Sequence, residues 1–91
     1  MKRCVRVQVK GRVTGVGFRI SAVHEARRFP NLQGHVRNVD PRTVECVMQG
    51  EEAAIGAMLA WLREGPTAAR VTDVTVEDLP LREDLGPFGI A

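Results

Sequence analysis

Gly11-Arg12-Val13-Thr14-Gly15-Val16-Gly17-Phe18-Arg19 connects an alternating strand-like run, Val5 to Val9, to a helix-like run that begins at Ile20. Glycine lets the backbone take a positive φ and approach a ligand closely. The helix that follows adds free N–H groups and the positive end of its dipole. The spacing matches neither G-x-G-x-x-G nor G-x-x-x-x-G-K-[ST], so it does not indicate a nucleotide-binding fingerprint. The segment is typical of a phosphate or carboxylate cradle, or of a turn that is rich in glycine for its geometry alone.

Outward from this loop, the apolar spacing predicts the element order β-α-β-β-α-β. Residues 4–10 alternate as a strand, and residues 19–29 form a helix whose core positions are Ile20, Val23 and Ala26. Residues 35–37 and 43–49 predict two short strands around a hairpin turn at Asp40-Pro41-Arg42.

The second half of the chain supplies the other helix and strand. Ile55, Met58, Leu59 and Leu62 follow helical spacing, and Gly65-Pro66 ends that helix. Residues 71–77 alternate again, with Val71 on one face and Val74 and Val76 on the other.

Two helices that cover one face of a four-stranded sheet make a two-layer α/β sandwich of the ferredoxin-like α+β class. Its sheet is antiparallel and leaves room for a short C-terminal edge strand. With 91 residues, 44% of them hydrophobic, we expect a single domain over residues 1–91. Right-handed crossovers make the first two strands run the same way, so Arg19 and Asn38 should meet at one edge of the sheet.

The charge and the cysteines limit the class of function. A formal net charge of +2 is too small to indicate binding to DNA or to a membrane by bulk electrostatics. Without a signal peptide or a membrane span in the sequence, we expect a cytoplasmic monomer. Strand parity places Cys4 and Cys46 on opposite faces, which predicts no disulfide, an exposed Cys4 thiol and a buried Cys46. Their spacing, with no nearby pair of histidines, indicates no metal site.

The corner formed by the loop, Arg19 and Asn38 suits phosphoryl chemistry. Backbone N–H groups and a guanidinium bind the oxygens of a phosphoryl group, and a carboxamide can hold a water molecule in line with phosphorus. With neither a strong base nor a metal, such a site needs a good leaving group, which a mixed anhydride of phosphate and a carboxylic acid supplies. The alternative for Asn38 is a turn residue before Asp40-Pro41.

Two motifs carry a family resemblance. Gly11 to Arg19 resembles the acylphosphatase signature G-R-V-Q-G-V-x-F-R, and Gly34-His35-Val36-Arg37-Asn38 with Val44-Glu45 resembles that family's G-x-V-x-N followed by D-G-x-V-E. The resemblance continues through Gly65-Pro66 to Phe88-Gly89-Ile90.

The resemblance implies hydrolysis of small-molecule acyl phosphates to a carboxylate and inorganic phosphate, without a cofactor or a metal. Arg19 is similar to the family's phosphate-binding arginine, and Asn38 to the residue that positions the attacking water. The phosphate cradle that the resemblance implies is the backbone of Val13, Thr14, Gly15, Val16, Gly17 and Phe18. Thr14 replaces the usual glutamine, which a backbone cradle should tolerate. Pro41-Arg42 replaces the usual Asp-Gly, which predicts a different or strained hairpin turn.

Two other functions remain open. The same element order occurs in RNA-recognition domains, which stack bases on aromatic residues of the open sheet face. Here that face should carry Arg6, Gln8, Lys10, His35 and Arg37, and the chain has no tyrosine, so we expect no nucleic-acid partner. The second is an acylphosphatase-like domain that binds a phosphate or carboxyl group without turnover.

Overall fold

The computed structural model describes all residues from Met1 to Ala91 and has the predicted order of elements, extended by a fifth strand. The elements are β1 (Lys2–Arg12), α1 (Phe18–Ala26), β2 (Gln33–Asp40), β3 (Thr43–Glu51), α2 (Glu52–Glu64), β4 (Arg70–Leu79) and β5 (Gly89–Ile90). Neither helix has the length and apolar character that crossing a membrane requires.

The sheet has the strand order β4-β1-β3-β2-β5. Every neighbouring pair is antiparallel except β2 with β5, which is parallel. Because β3 is antiparallel to both β1 and β2, the latter two run in the same direction, as the crossover rule predicts. The ferredoxin-like α+β prediction is therefore confirmed, including its short C-terminal edge strand.

The main core lies between the sheet and the two helices. Every second side chain of the central strands faces the helices, and the apolar face of α2 packs on these side chains. The fully buried members are Val5, Val7, Val9, Ala22, Val36, Val44, Cys46, Met48, Ile55, Met58 and Leu62.

Helix α1 differs from the prediction at its core face and at its end. Ile20 is 69% exposed, whereas Phe18, Ala22 and Ala26 are buried. These three residues follow each other at i, i+4 and i+8, so the turn of the helix places Ile20 about 200° from Phe18, toward solvent. The helix ends at Ala26 rather than near Phe29.

Cys4 is buried, contrary to the predicted exposed thiol, although its place on the helix-free face is as predicted. Strands β4 and β5 are at opposite edges of the sheet, so residues 80–88, here called the crossing segment, must pass over that face. Leu85 of this segment packs on Cys4 and Val47. Burial raises the pKa of the Cys4 thiol, against the lowering effect of nearby arginine charges. Both cysteines are free, as predicted.

Polar contacts fix the crossing segment to the sheet. The Gln49 carboxamide donates to the Arg82 carbonyl and accepts from the Arg82 N–H, each at 2.7 Å. Gln33 donates to the Leu85 carbonyl at 3.0 Å. These bonds satisfy backbone groups that would otherwise face the sheet unpaired.

A β-bulge changes which side chains of β4 face the helices, compared with the prediction. Val9 pairs with Val74, but Gly11 pairs with Val71, because the register shifts between Lys10 and Gly11. Val71 and Val74 therefore both pack against the main core, although simple alternation places them on opposite faces. Gly11 has φ 134°, and a Cβ atom there would collide with the Arg70 carbonyl.

Candidate active site

The glycine-rich loop leaves β1 at its C-terminal end and leads directly into α1. Gly15 and Gly17 have φ of 71° and 76°, and Gly17 is the N-cap residue of the helix. A Cβ atom at either glycine would meet no other atom within 4 Å. These two glycines are therefore required by the backbone conformation, not by a close neighbour.

The loop and the first helical turn present unpaired backbone donors. None of the N–H groups from Val13 to Ile20 donates a hydrogen bond within the protein, and the first intrahelical bond runs from Ser21 N–H to the Gly17 carbonyl at 3.0 Å. The first turn of α1 holds no acidic residue, and no side chain caps it. Successive free N–H groups at a helix N-terminus form a concave site for an anion.

Buried side chains hold this loop in place from below. Val13 and Phe18 are 1% and 2% exposed, so the residues at both ends of the loop are anchored in the core. The Phe18 ring packs against Trp61 at 5.4 Å between ring centroids and lies against Gly65, whose added Cβ would come within 2.6 Å of the ring. The loop therefore keeps its shape while its N–H groups face outward.

Thr14 ties the loop to the β2–β3 hairpin. Its hydroxyl donates to the Pro41 carbonyl at 2.6 Å, and the Gly11 N–H donates to the Arg42 carbonyl at 3.0 Å. Sequence reasoning treated Thr14 only as a tolerated replacement and missed this contact. The only available signal was that both motifs depart from the family pattern, at Thr14 and at Pro41-Arg42.

Arg19 is the second residue of α1 and is half-buried. Its guanidinium makes no hydrogen bond or ion pair with the protein, so all of its donors are free. A planar fork of free donors suits two oxygens of one phosphoryl group.

Asn38 lies near the end of β2 on the helix-bearing face. It pairs with Val44 and shares strand parity with the buried Val36. Its carboxamide makes no hydrogen bond within the protein. The turn bond is made instead by Asp40, whose Oδ1 accepts from the Arg42 N–H at 2.8 Å. The side chain of Asn38 is thus not needed to build the turn.

The hairpin itself is free of backbone strain. No residue other than glycine has a positive φ, so Pro41 and Arg42 form a two-residue turn without a left-handed residue. The strained turn, one of the two outcomes predicted, is therefore not the one found.

The strand pairing brings these groups to one end of the sheet. Val44 pairs with Asn38 on one side and with Val9 on the other, so Asn38 is level with the end of β1 from which the loop departs. Helix α1, which carries Arg19, packs over β2. The loop, the start of α1 with Arg19 and the end of β2 with Asn38 therefore lie at the same end of the sheet.

The comparisons with known proteins identify the family. The family model described as Acylphosphatase matches residues 5–90. The chain belongs to the acylphosphatase family. It is accordingly an acylphosphatase-type enzyme that hydrolyses acyl phosphates, as its sequence motifs imply.

Individual acylphosphatases match over most of the chain. A relative named Acylphosphatase from Anaeromyxobacter dehalogenans is 48% identical over 93% of this chain and 90% of its own length. The structure of an acylphosphatase from Coxiella burnetii superposes with a TM-score of 0.89 at 37% identity, covering 99% of this chain and 93% of that one. The acylphosphatase structure from Bacillus subtilis gives a TM-score of 0.90 at 34% identity, covering 100% and 99%.

Proposed function

We propose that Arg19 and the backbone N–H groups of the loop bind the phosphoryl group of the substrate, and that Asn38 positions the attacking water. The cradle comprises Val13, Thr14, Gly15, Val16, Gly17 and Phe18. One observation carries this proposal: the unpaired N–H groups of the loop lie at the same end of the sheet as Arg19 and Asn38, whose side chains have no partner within the protein. Donors without acceptors inside the protein are preorganised for the charge of a phosphoryl group.

The reaction needs little covalent help from the protein. The oxygen of the water held by Asn38 forms a bond to phosphorus, while the bond between phosphorus and the acyl oxygen breaks and its electron pair leaves on the carboxylate. The proton released by the water passes to a phosphate oxygen or to solvent. Arg19 and the N–H groups stabilise the charge on the equatorial oxygens throughout the transfer.

Acyl phosphates suit this set of groups because a carboxylate is a good leaving group. The cradle offers N–H donors and a cation, which attract anions and repel metal ions. We therefore propose that catalysis uses no metal and no cofactor, and that an ordinary phosphate monoester is a poor substrate.

We also propose that the enzyme acts on small molecules, as a cytoplasmic monomer without a nucleic-acid or membrane partner. The two buried, unpaired thiols suit a reducing compartment. The crossing segment partly covers the helix-free face, and Glu45, hydrogen-bonded to Gln8 and Arg37, occupies its centre. RNA-recognition domains instead carry aromatic residues on this face, on which bases stack.

The test is hydrolysis of benzoyl phosphate in excess EDTA by the wild type and by Arg19→Ala, Arg19→Lys and Arg27→Ala. We expect turnover that survives EDTA, a loss of about 10²- to 10³-fold in kcat/KM for Arg19→Ala, and partial recovery in Arg19→Lys, because lysine restores the charge but not the fork. Arg27, an exposed arginine at the far end of α1, should tolerate the same change.

Folded wild type that binds inorganic phosphate but hydrolyses nothing would favour the alternative of a binding domain. Turnover that EDTA abolishes would contradict the metal-free mechanism.

A further inference from the structure

The arginines of this protein fall into two groups according to their partners. Five arginine side chains are paired with a carboxylate; the pairs are Arg3–Asp78, Arg6–Glu77, Arg28–Glu25, Arg37–Glu45 and Arg82–Asp84. At the loop end of the sheet, Arg12, Arg42 and Arg70 have no such partner, and Arg19 has none either. Four of the six arginines without a carboxylate partner therefore belong to the loop end, and the other two, Arg27 and Arg63, lie at the C-terminal ends of the helices.

Arg12 and Arg70 are direct neighbours across two antiparallel strands. They are Cα partners in the register of β1 with β4, and both are exposed. Side chains at directly opposite positions share a face, and like charges placed there destabilise the pairing. The two carboxylates nearest to this pair along the strands do not pair with it. Asp73 is opposite Lys10, and Asp40 accepts from the Arg42 N–H. The protein thus retains a repulsive pair without an internal counter-charge.

This pair adjoins the cradle through the backbone. Arg12 immediately precedes Val13, at which the run of free N–H groups begins. Gly11, the β1 residue before Arg12, donates to the Arg42 carbonyl at 3.0 Å and lies against the Arg70 carbonyl. Along the chain and across the sheet, Arg12 and Arg70 are therefore unpaired arginines next to the start of the cradle.

We propose that Arg12 and Arg70 form a second anion subsite, which favours acyl phosphates whose acyl group carries an anionic group of its own, a carboxylate or a second phosphate. The inference rests on the proposed function, because the first phosphoryl group must occupy the cradle. Arginine forks bind carboxylate and phosphate oxygens alike, and a bound anion relieves the repulsion between the two cations. Binding of the second anionic group increases kcat/KM for the anionic substrates relative to neutral ones, whereas Arg19 and Asn38 take part in the chemical step.

The experiment compares adipoyl monophosphate with its methyl ester, which differ only by one free carboxylate on a flexible chain. The measured quantity is the ratio of their kcat/KM values for the wild type and for Arg70→Gln, Arg12→Gln and Arg27→Gln, each checked for folding by circular dichroism. We expect the wild type to prefer the free carboxylate by about three- to tenfold, as exposed charge-assisted contacts allow. Arg70→Gln and Arg12→Gln should bring the ratio close to one, and Arg27→Gln, with the same change of charge far from the site, should keep it.

A second readout separates a binding role from a structural one. Because like charges oppose each other in the free protein, Arg70→Gln should raise Tm by about 1–4 °C while it lowers the selectivity. A wild-type ratio near one, or a ratio that Arg70→Gln and Arg12→Gln leave unchanged, would overturn the subsite while hydrolysis of the methyl ester still supports the proposed function. No turnover of either compound would overturn both.

Discussion

At the scale of single residues, the glycines of the loop have different physical roles that their shared motif conceals. Gly11 is required because the carbonyl of Arg70 leaves no room for a side chain. Gly15 and Gly17 have room, and they are required because the loop turns through positive φ at both positions. Residue types and spacing predicted an anion-binding loop that meets Arg19 and Asn38 at one edge of the sheet, and the family resemblance implied the extent of the cradle and the roles of the two side chains. The hydrogen bond from Thr14 to Pro41 was not predicted, because a contact between two loops produces no periodic pattern of apolar residues in the sequence.

Gly17→Ala should therefore lower activity without a steric clash. A left-handed conformation costs a residue with a Cβ about 1–2 kcal/mol, so the loop should shift and kcat/KM for benzoyl phosphate should fall by about tenfold. The control is Gly56→Ala in the exposed interior of α2, where a Cβ also meets nothing within 4 Å. That change should raise the free energy of unfolding by about 0.5–1 kcal/mol and leave the kinetics unchanged. Full activity in a folded Gly17→Ala enzyme would contradict the backbone cradle.

At the scale of elements, local patterns predicted the strands and helices but not how distant segments cover them. Alternation predicted the faces of β1 and β3 correctly, because helix α2 packs against one side of both strands. Cys4 was misjudged because the segment that covers it lies about 80 residues further along the chain and has no strand of its own there. The prediction for Ile20 is wrong because Ile20, Val23 and Ala26 also follow helical spacing, whereas Phe18, Ala22 and Ala26 form the buried face.

At the scale of the whole molecule, a group of ion pairs surrounds Glu45 on the helix-free face, whereas the arginines at the loop end have no carboxylate partner. Glu45 is the centre of this group: it accepts from Gln8 and Arg37, and Arg6 lies within 3.7 Å. Burial alone would raise the pKa of Glu45, but these hydrogen bonds and charges lower it below its ordinary value of 4.5. A carboxyl with a lowered folded pKa stabilises the protein above its unfolded value, and that stability is lost as pH falls through the folded one.

Glu45→Gln should consequently change the acid limb of the stability curve. The variant should lose about 1–2 kcal/mol of unfolding free energy at neutral pH, because charge-assisted bonds become neutral ones. Its stability should then fall less steeply than that of the wild type as pH drops below about 4.5. Urea unfolding across this range measures both effects, with Glu83→Gln, an exposed and unpaired carboxylate, as the control. Parallel curves for the wild type and Glu45→Gln would contradict the assigned role.

The most direct measurement of the central claim is the separation of kcat from KM in Asn38→Ala with benzoyl phosphate. If Asn38 positions the water while Arg19 and the loop hold the phosphoryl group, kcat should fall by about 10²- to 10³-fold and KM should change little. Asn31→Ala, at an exposed asparagine before β2, should behave like the wild type. An unchanged kcat in folded Asn38→Ala, or a loss confined to KM, would contradict the assignment of the attacking water to Asn38.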